Sequence, residues 1–184
     1  MAIRSTIYKA ELSVADIDRG YYADHALTLA RHPSETEERL MVRILAFALN
    51  AHERLALAGD ISTDDEPALW RLDDTGVIQQ WIEVGLPDER VLRRACGRAD
   101  EVMLLAYGHR KAEAWWVDNK NALSRNRNLT VKFLPEEPCK ALAALAERSM
   151  RLGITIQDGH VLISGARGSA EVEPLTWQSP APPR

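Results

Sequence analysis

The chain has few of the residues and motifs that mark several common protein classes. It contains two cysteines, Cys96 within a helical pattern and Cys139 after a proline, and this pair has no metal-binding spacing. We expect both thiols to be reduced. The sequence also has no glycine-rich phosphate loop and no serine or cysteine triad motif. A disulfide framework, a cysteine zinc site and a P-loop enzyme are therefore not expected.

Long apolar runs are absent as well. No stretch approaches the roughly 18 to 20 consecutive apolar residues of a membrane span, and the N-terminal sequence MAIRSTIYKA lacks the apolar core of a signal peptide. We expect a cytoplasmic protein without a membrane partner. The net charge of −4 argues against a dedicated nucleic-acid coat protein, although a local basic patch would not show in the total.

The overall composition is that of a globular protein. Hydrophobic residues make up 46% of the sequence and charged residues 27%, and 184 residues can bury a sizeable core as one domain. We expect that domain to span residues 1–178 and to be monomeric. The proline-rich residues 179–184 are predicted to be a disordered tail.

The stretch from residue 64 to residue 98 contains the clearest change of pattern in the sequence. It opens with acids, then alternates with a period of two from Val77 to Val84, and changes to helical spacing after Pro87. A strand therefore leads through a short turn into a helix. Within the strand, Gln79, Trp81, Glu83 and Gly85 share one face.

Glu83 is the first candidate for a functional role. A carboxylate in the middle of an apolar strand is costly to bury unless a cation or hydrogen-bond donors surround it. Two interpretations stay open at this point. Glu83 is either a metal ligand or the partner of an arginine from the following helix, which offers Arg90, Arg93, Arg94 and Arg98.

The N-terminal part predicts a hairpin followed by a long helix. Residues 5–14 alternate as a half-buried strand, a turn follows at 16–20, and residues 21–31 form the second strand. Ser34 and Glu37 match a capping box, and helical spacing continues for about five turns to Leu55. Its core face is predicted to contain Met41, Ile44, Leu45 and Ala48, with Glu38 pointing inward and Glu35, Arg39, Arg43 and Asn50 solvated.

The rest of the chain alternates between strands and helices, which predicts the α/β class. Strands are predicted at 70–72, 101–107, 111–117 and 129–134, helices at 88–99 and 135–151, and a hairpin at 154–163 around Asp158 and Gly159. His25 and His32 are predicted to be structural histidines. Trp70, Trp81, Trp115 and Trp116 are predicted to be core residues rather than platforms for nucleobases.

Several collinear stretches resemble the bacterial YaeQ family over nearly the whole chain. They are TIYKA, SVADIDRG, LTLARHPSETEERL, DEP with a following tryptophan, WIEVGLPDER and TIQDG. The resemblance implies a variant of the PD-(D/E)xK fold. That is a restriction-endonuclease-like mixed sheet flanked by helices, here with additional terminal β-hairpins.

The resemblance also implies a chemistry. Nucleases of that superfamily hydrolyse phosphodiesters with Mg²⁺ held by carboxylates, since a hard ion prefers oxygen ligands. Glu83 matches the second acid of the motif, and Asp65 or Glu66 resembles the first. Glu38, followed by Arg39, resembles the glutamate at the start of the first helix.

The sequence departs from the superfamily pattern at two positions. Gly85 stands where the motif has its lysine, and Ala68 stands where a plain Pro-Asp motif would place its carboxylate. Arg94 sits where the family is expected to carry a lysine, with Arg98 and Lys120 as further basic candidates. Arginine cannot serve as a general base, but it can neutralise a phosphate.

Two functions of different class follow. The first is a nuclease-like phosphodiesterase dependent on Mg²⁺ or Mn²⁺ that acts on DNA or RNA, without an organic cofactor. Its catalytic residues would be Glu38, Asp65, Glu66, Glu83 and Arg94, its metal ligands Glu83, Asp65 and Glu66, and its cleft would be lined by Gln79 or Trp81. The second is a catalytically inactive protein on the same scaffold that binds nucleic acid or the transcription machinery.

Overall fold

A computed structural model describes residues 4–59 and 65–183, and these residues form two mixed β-sheets and four helices. The α/β class is therefore confirmed. The strands are β1 Thr6–Asp16, β2 Tyr21–Arg31, β3 Leu55–Leu57, β4 Leu69–Leu72, β5 Ile78–Val84, β6 Ala99–Ala106, β7 Leu129–Phe133, β8 Ser149–Gln157, β9 His160–Gly165, β10 Gly168–Val172 and β11 Leu175–Gln178. The helices are α1 Glu37–Leu49, α2 Glu89–Arg98, α3 Arg110–Leu123 and α4 Glu136–Ala143.

The two ends of the chain build one sheet, which we call the terminal sheet. Its strand order is β10-β9-β8-β1-β2, with β1 antiparallel to β2 and parallel to β8. Alternation explains its two faces, because Tyr8, Ala10, Leu12 and Val14 of β1 are buried while the residues between them are exposed. The predicted hairpins at both ends of the chain are confirmed.

The middle of the chain builds the second sheet, which we call the central sheet. Its strand order is β11-β7-β6-β5-β4-β3. Strands β5, β6 and β7 are parallel, and the remaining pairs are antiparallel. Strand β6 is buried along most of its length, as its continuous apolar sequence predicts for a strand covered on both faces.

Helices cover the central sheet on both faces and create two hydrophobic cores. Helices α1 and α4 share a core with the terminal sheet and with Ile82 and Val84 of β5. Helix α2 packs on the opposite face, where Leu92 and Ala95 meet Trp81. Strand β5 therefore presents Trp81 toward one core and Ile82 toward the other. None of the helices in the described part of the chain is long and apolar enough to cross a membrane.

Helix α1 begins later and ends earlier than predicted. Its N-cap is Thr36, whose hydroxyl accepts the backbone N–H of Arg39 at 3.1 Å. The predicted cap, Ser34, instead hydrogen-bonds through its hydroxyl to Nδ1 of His32 at 2.7 Å. The helix ends at Leu49, and residues 55–57, which were predicted to be helical, pair with β4 as strand β3. Both boundaries of the prediction were therefore wrong.

The predicted strand at 111–117 was also wrong, because these residues lie in helix α3. Tryptophan and valine favour strands. Helical spacing nevertheless places Ala112, Trp115, Trp116 and Leu123 on the covered side of the helix. The helix predicted for 135–151 ends at Ala143, and strands β10 and β11 were not predicted.

Candidate functional site

Glu83 lies near the carboxyl end of β5 and is only 2% exposed. The indole Nε1 of Trp81 donates a hydrogen bond of 2.9 Å to its carboxylate oxygen Oε1. The two side chains share a strand face, as the alternation of β5 predicts. Trp81 is itself held between the sheet and α2. The carboxylate is therefore fixed by a rigid, fully buried neighbour.

Arg98 is the last residue of α2, and it contacts both Trp81 and Asp65, an acid that precedes β4. Its guanidinium carbon lies 5.2 Å from the centre of the Trp81 ring. Its Nη1 atom lies 3.9 Å from the Asp65 carboxylate and 3.4 Å from the Asp65 carbonyl oxygen. Asp65, Trp81, Glu83 and Arg98 thus form one continuous series of contacts, which we call the acid-arginine site.

The two ends of this site differ in their exposure. Asp65 is exposed, whereas Glu83 is buried, and Arg98 between them retains 40% of its side-chain exposure. An exposed ion pair of nearly 4 Å is weak. The Arg98 guanidinium can therefore exchange its contact with Asp65 for a contact with a phosphate oxygen of a bound ligand.

The other candidates lie at different places in the fold. Glu66 is exposed beside Asp65, and Arg94 is exposed one helical turn before Arg98. Lys120 is exposed on α3. Glu38 is half-buried and hydrogen-bonds to the thiol of Cys139 in α4. Of the predicted basic residues, Arg98 is the one whose described contacts join it to Trp81 and Asp65.

Burial raises the pKa of the Cys139 thiol to about 12, and the Glu38 carboxylate adds to this shift through its charge and its hydrogen bond. Glu38 therefore faces α4, on the side of the central sheet that carries the α1 core. Trp81 lies in the core on the opposite side of that sheet.

The N-terminal end of α1 contains a buried ion-pair cluster that the sequence did not predict. Arg43 binds Glu35 through two hydrogen bonds of 2.8 Å, and Arg39 adds a third of 2.7 Å. Arg43 also donates to the carbonyl of Ala30 in β2 at 3.1 Å. The prediction that Glu35, Arg39 and Arg43 are solvated was wrong, since Glu35 and Arg43 are almost fully buried. Their i, i+4, i+8 spacing was the available signal.

A cavity of about 400 Å³ is lined both by residues of this cluster and by Glu83. It opens at the carboxyl ends of β5 and β6, where ligands commonly bind in α/β sheets. Its lining includes Glu35, Arg39, Glu83 and Tyr107. The acid at the start of α1 that shares a cavity with Glu83 is therefore Glu35. Burial raises the pKa of Tyr107 well above its usual range, so that its hydroxyl stays protonated.

Gly85, at the position where the expected superfamily motif would carry its lysine, has a backbone conformation that disfavours any side chain. Its φ of +97° lies in the left-handed region, which a side-chain-bearing residue rarely adopts. Its backbone N–H donates to the carbonyl of Leu105 at 3.0 Å, which ties the turn after β5 to β6. A lysine at this position would strain the turn.

The described carboxylates do not form a closed metal site. Within residues 4–59 and 65–183, no group of three or more His, Cys, Asp or Glu side chains is arranged to hold a metal ion. The acids that match the hard-ligand preference of Mg²⁺ near the acid-arginine site are Asp65, Glu66 and Glu83. Asp64, the first acid of this stretch, lies outside the described residues.

Comparison with known proteins identifies the family. The family model described as "YaeQ protein" matches residues 1–174. The chain belongs to the YaeQ family. It is 45% identical over 181 residues to the YaeQ proteins of Salmonella typhi and Escherichia coli K12, which covers 98% of this chain and 100% of each relative. The predicted family resemblance is therefore confirmed.

Two crystal structures of YaeQ proteins have the same fold. The protein from Xanthomonas axonopodis pv. citri is 49% identical and superposes with a TM-score of 0.92, covering 96% of this chain and 99% of that chain. The protein from Pseudomonas syringae is 37% identical with a TM-score of 0.90, covering 95% and 97%. The two-sheet architecture is therefore shared among YaeQ proteins.

His25, Trp70 and Trp115 have structural roles in this YaeQ chain. His25 accepts or donates a 2.8 Å hydrogen bond with the Tyr21 hydroxyl and packs edge-on against Phe47. Trp70 packs edge-on against Trp81, and the indole of Trp115 donates to the Pro87 carbonyl at 3.0 Å. These contacts agree with the structural roles that the sequence predicts.

Proposed function

We propose that this YaeQ-family chain is a metal-dependent, nuclease-like phosphodiesterase with a rearranged active site, built on a variant of the PD-(D/E)xK restriction-endonuclease-like scaffold. The observation that supports it is the acid-arginine site. An acid from β5, an acid that precedes β4 and a basic side chain from the following helix are joined by consecutive contacts. These are the three kinds of group that the superfamily chemistry needs, with Arg98 in place of the strand lysine.

We infer that a Mg²⁺ or Mn²⁺ ion binds together with its substrate, because the site offers carboxylate oxygens, which are the ligands that these ions prefer. Magnesium is usually held by one or two carboxylates, with waters and substrate phosphates in the remaining positions, so a protein cage of three ligands is not required. Glu83 with Asp65 or Glu66 would hold the ion. When bound, such an ion lowers the pKa of a coordinated water and neutralises phosphate charge.

The chain's own side chains have separate tasks in this proposal. Trp81 holds the Glu83 carboxylate in one orientation through its indole N–H. Arg98 is charged at any physiological pH, so it cannot take a proton from water, but its fork of donors fits a phosphate oxygen pair. Arg98 therefore binds and positions the phosphodiester. Before the substrate binds, Asp65 holds the Arg98 guanidinium near the site.

A second candidate is a protein that binds nucleic acid, or the transcription machinery, without cutting. Two observations favour it. The left-handed backbone at Gly85 leaves the motif lysine without an equivalent on β5. The described residues also contain no group of three metal-ligating side chains. In this candidate Arg98 would contact the phosphates of the polymer, and Glu83 would have no role in binding.

A cleavage assay separates the two candidates. End-labelled single-stranded DNA, single-stranded RNA and duplex DNA are incubated with wild type, Glu83→Gln, Arg98→Met and the control Arg93→Met, with Mn²⁺ or with EDTA. Arg93 is a suitable control because it lies on the same helix but pairs with Glu89. We expect Mn²⁺-dependent cleavage that falls by roughly 100-fold or more in Glu83→Gln and Arg98→Met.

The opposite result supports binding alone. If the wild type retains one of these polymers in Mn²⁺ without cutting it, and Arg98→Met weakens that retention while Glu83→Gln does not, the phosphodiesterase proposal is wrong. Cleavage that survives in identically purified Glu83→Gln would show that another residue, or a contaminating nuclease, is responsible.

A further inference from the structure

A groove between α3 and β11 is lined by tryptophans and basic residues and shares no residue with the acid-arginine site. Its volume is about 420 Å³, within the range of about 300 to 1,000 Å³ of typical ligand pockets. Trp116 and Lys120 line it from α3, and Trp177 lines it from β11. Arg127 lines it from the loop between α3 and β7. We call it the tryptophan groove.

The two indoles of the tryptophan groove form a parallel stack with the buried Phe133. Trp116 lies on Trp177 with ring centres 5.3 Å apart and planes 15° apart, and Phe133 lies on Trp177 at 4.3 Å and 9°. Trp116 and Trp177 are only half-buried. Trp177 is covered by both of its stacking partners, so Trp116, at the end of the stack, is the indole that offers a flat surface of the kind on which unpaired nucleobases stack in any sequence.

The charge of the groove is opposite to that of the whole chain. The sequence carries a net charge of −4. Among the described residues that line the tryptophan groove, Lys120 and Arg127 are basic and none is acidic. Both basic residues are exposed. A cationic rim beside stacked aromatic rings is complementary to a chain of phosphates and bases.

The groove wall also contains an unused hydrogen-bond donor. The Nδ2 atom of Asn126 is buried and has no hydrogen-bond partner in the described part of the chain. Asn126 lines the tryptophan groove beside Arg127. Such an unpaired amide has a free-energy cost in the folded protein.

The segment after β11 forms one border of the groove. The backbone N–H of Ala181 donates to the carbonyl of Arg127 at 2.8 Å, and Arg127 Nη2 donates to the carbonyl of Pro182 at 3.1 Å. An arginine has five N–H donors, so one contact to the chain end leaves the guanidinium able to contact a phosphate. The contact holds Arg127 at the rim.

We propose that the tryptophan groove binds single-stranded nucleic acid. Bases stack against the exposed part of the Trp116 ring, which ends the stack on the groove side, and Lys120 and Arg127 contact the phosphates. A duplex fits this groove less well, because its bases are already stacked on one another and cannot reach the indoles. The proposal is independent of the phosphodiesterase activity, since binding here requires neither a metal ion nor the acid-arginine site.

Fluorescence anisotropy in EDTA tests the proposal without cleavage. Labelled oligo-dT, oligo-rU and a duplex of equal length are titrated with wild type, Lys120→Glu, Trp116→Leu and the control Lys111→Glu. Lys111 is a matched control because it is exposed on the same helix but does not line the groove. We expect the wild type to bind a single strand at least tenfold more tightly than the duplex.

The variants distinguish the groove from general surface charge. Lys120→Glu is expected to weaken single-strand binding at least fivefold. It should also reduce the slope of log K against log salt concentration by about 0.7, the contribution of one phosphate contact on a single strand. Lys111→Glu should leave binding within twofold. Equal losses in Lys111→Glu and Lys120→Glu, tighter binding of the duplex, or no single-strand binding at low salt would each overturn the proposal.

Trp116→Leu tests the stacking step, and its folding is checked by its thermal melt. A folded Trp116→Leu that has lost at least fivefold in affinity supports base stacking, whereas unchanged affinity contradicts it. If this variant does not fold, Lys120→Glu and the preference for single strands still decide the question. Tighter binding of oligo-rU than oligo-dT, or the reverse, identifies the preferred polymer.

Discussion

Trp81 donates its indole N–H to the carboxylate of Glu83, two residues further along the same strand, over 2.9 Å. This contact joins the core and the candidate site, because the same tryptophan that packs against α2 also orients the acid of the acid-arginine site. Fixing the carboxylate in this way satisfies part of the hydrogen-bonding need of a buried charge. It also makes the orientation of Glu83 depend on the packing of α2.

Replacing Trp81 with phenylalanine should lower the free energy of unfolding by roughly 1 to 3 kcal/mol, because the carboxylate loses a buried donor. Urea unfolding measures the loss. Trp70→Phe is the control, since Trp70 packs edge-on against Trp81, whereas the indole shown to donate to Glu83 is that of Trp81. A loss in Trp81→Phe no larger than in the control would show that the hydrogen bond does not hold the carboxylate.

Replacing Arg43 with methionine should destabilise the fold by roughly 3 to 5 kcal/mol, because the buried Glu35 carboxylate loses a partner that binds both of its oxygens. The same chemical denaturation measures it. Arg54→Ala removes an ion pair with Asp74 at the surface and should change the free energy of unfolding far less than Arg43→Met does. A cost below 1 kcal/mol for Arg43→Met would mean that the pair is not buried in solution.

Replacing Leu45 with alanine should cost roughly 2 to 5 kcal/mol, because this side chain is fully buried in the core beneath α1. Val117→Ala, on an exposed face of α3, should change the free energy of unfolding by about 0.5 kcal/mol or less. An equally small effect of Leu45→Ala would contradict the packing of α1 on the core. It would also contradict the positions of Glu35 and Glu38, which depend on that packing.

The two cysteines should resist alkylation at pH 8 while the protein is folded. Burial raises the pKa of the Cys96 thiol to about 11, and burial together with Glu38 raises the pKa of Cys139 to about 12. The thiolate fraction at pH 8 is then about 0.001 or less, against roughly a quarter at an ordinary thiol pKa of about 8.5. Mass spectrometry after iodoacetamide treatment, with and without denaturant, measures the difference.

These raised thiol pKa values also predict the sign of a pH effect on stability. The folded state binds the thiol protons more tightly than the unfolded state does, so the stabilisation is fully present below pH about 8.5. It is lost as the pH rises toward 11 for Cys96 and toward 12 for Cys139. Rapid labelling of both thiols in the folded protein at pH 8 would contradict the burial of these groups.

Local sequence patterns predicted the strand faces of β1 and β5 better than the boundaries of the helices. Alternation assigned these faces because successive side chains of a strand point to opposite sides of the sheet, and the Asp158-Gly159 turn located the hairpin of β8 and β9. The start of α1 was ambiguous, since both Ser34 and Thr36 can cap a helix. His32 decides this choice by binding the Ser34 hydroxyl.

The candidate site depends on contacts between elements, and these are the contacts that a local pattern does not contain. The face of Glu83 followed from alternation, but the position of Arg98 over Trp81 requires α2 to dock on the central sheet. The burial of Glu35 likewise requires α1 to bring Arg43 against Ala30 of β2. Helix α3 was missed because the strand propensity of two tryptophans and a valine outweighed a short helical pattern.

Thermal unfolding with and without Mn²⁺ tests the central claim, a metal-dependent acid-arginine site, most directly. Wild type, Glu83→Gln and the exposed control Glu113→Gln are melted in EDTA and in millimolar Mn²⁺. A ligand that binds only the folded state adds about 2.7 kcal/mol of stability at 100 times its Kd. We predict that Mn²⁺ raises the Tm of the wild type and of Glu113→Gln and leaves that of Glu83→Gln unchanged. No Mn²⁺-dependent shift in the wild type, or an equal shift in Glu83→Gln, would contradict it.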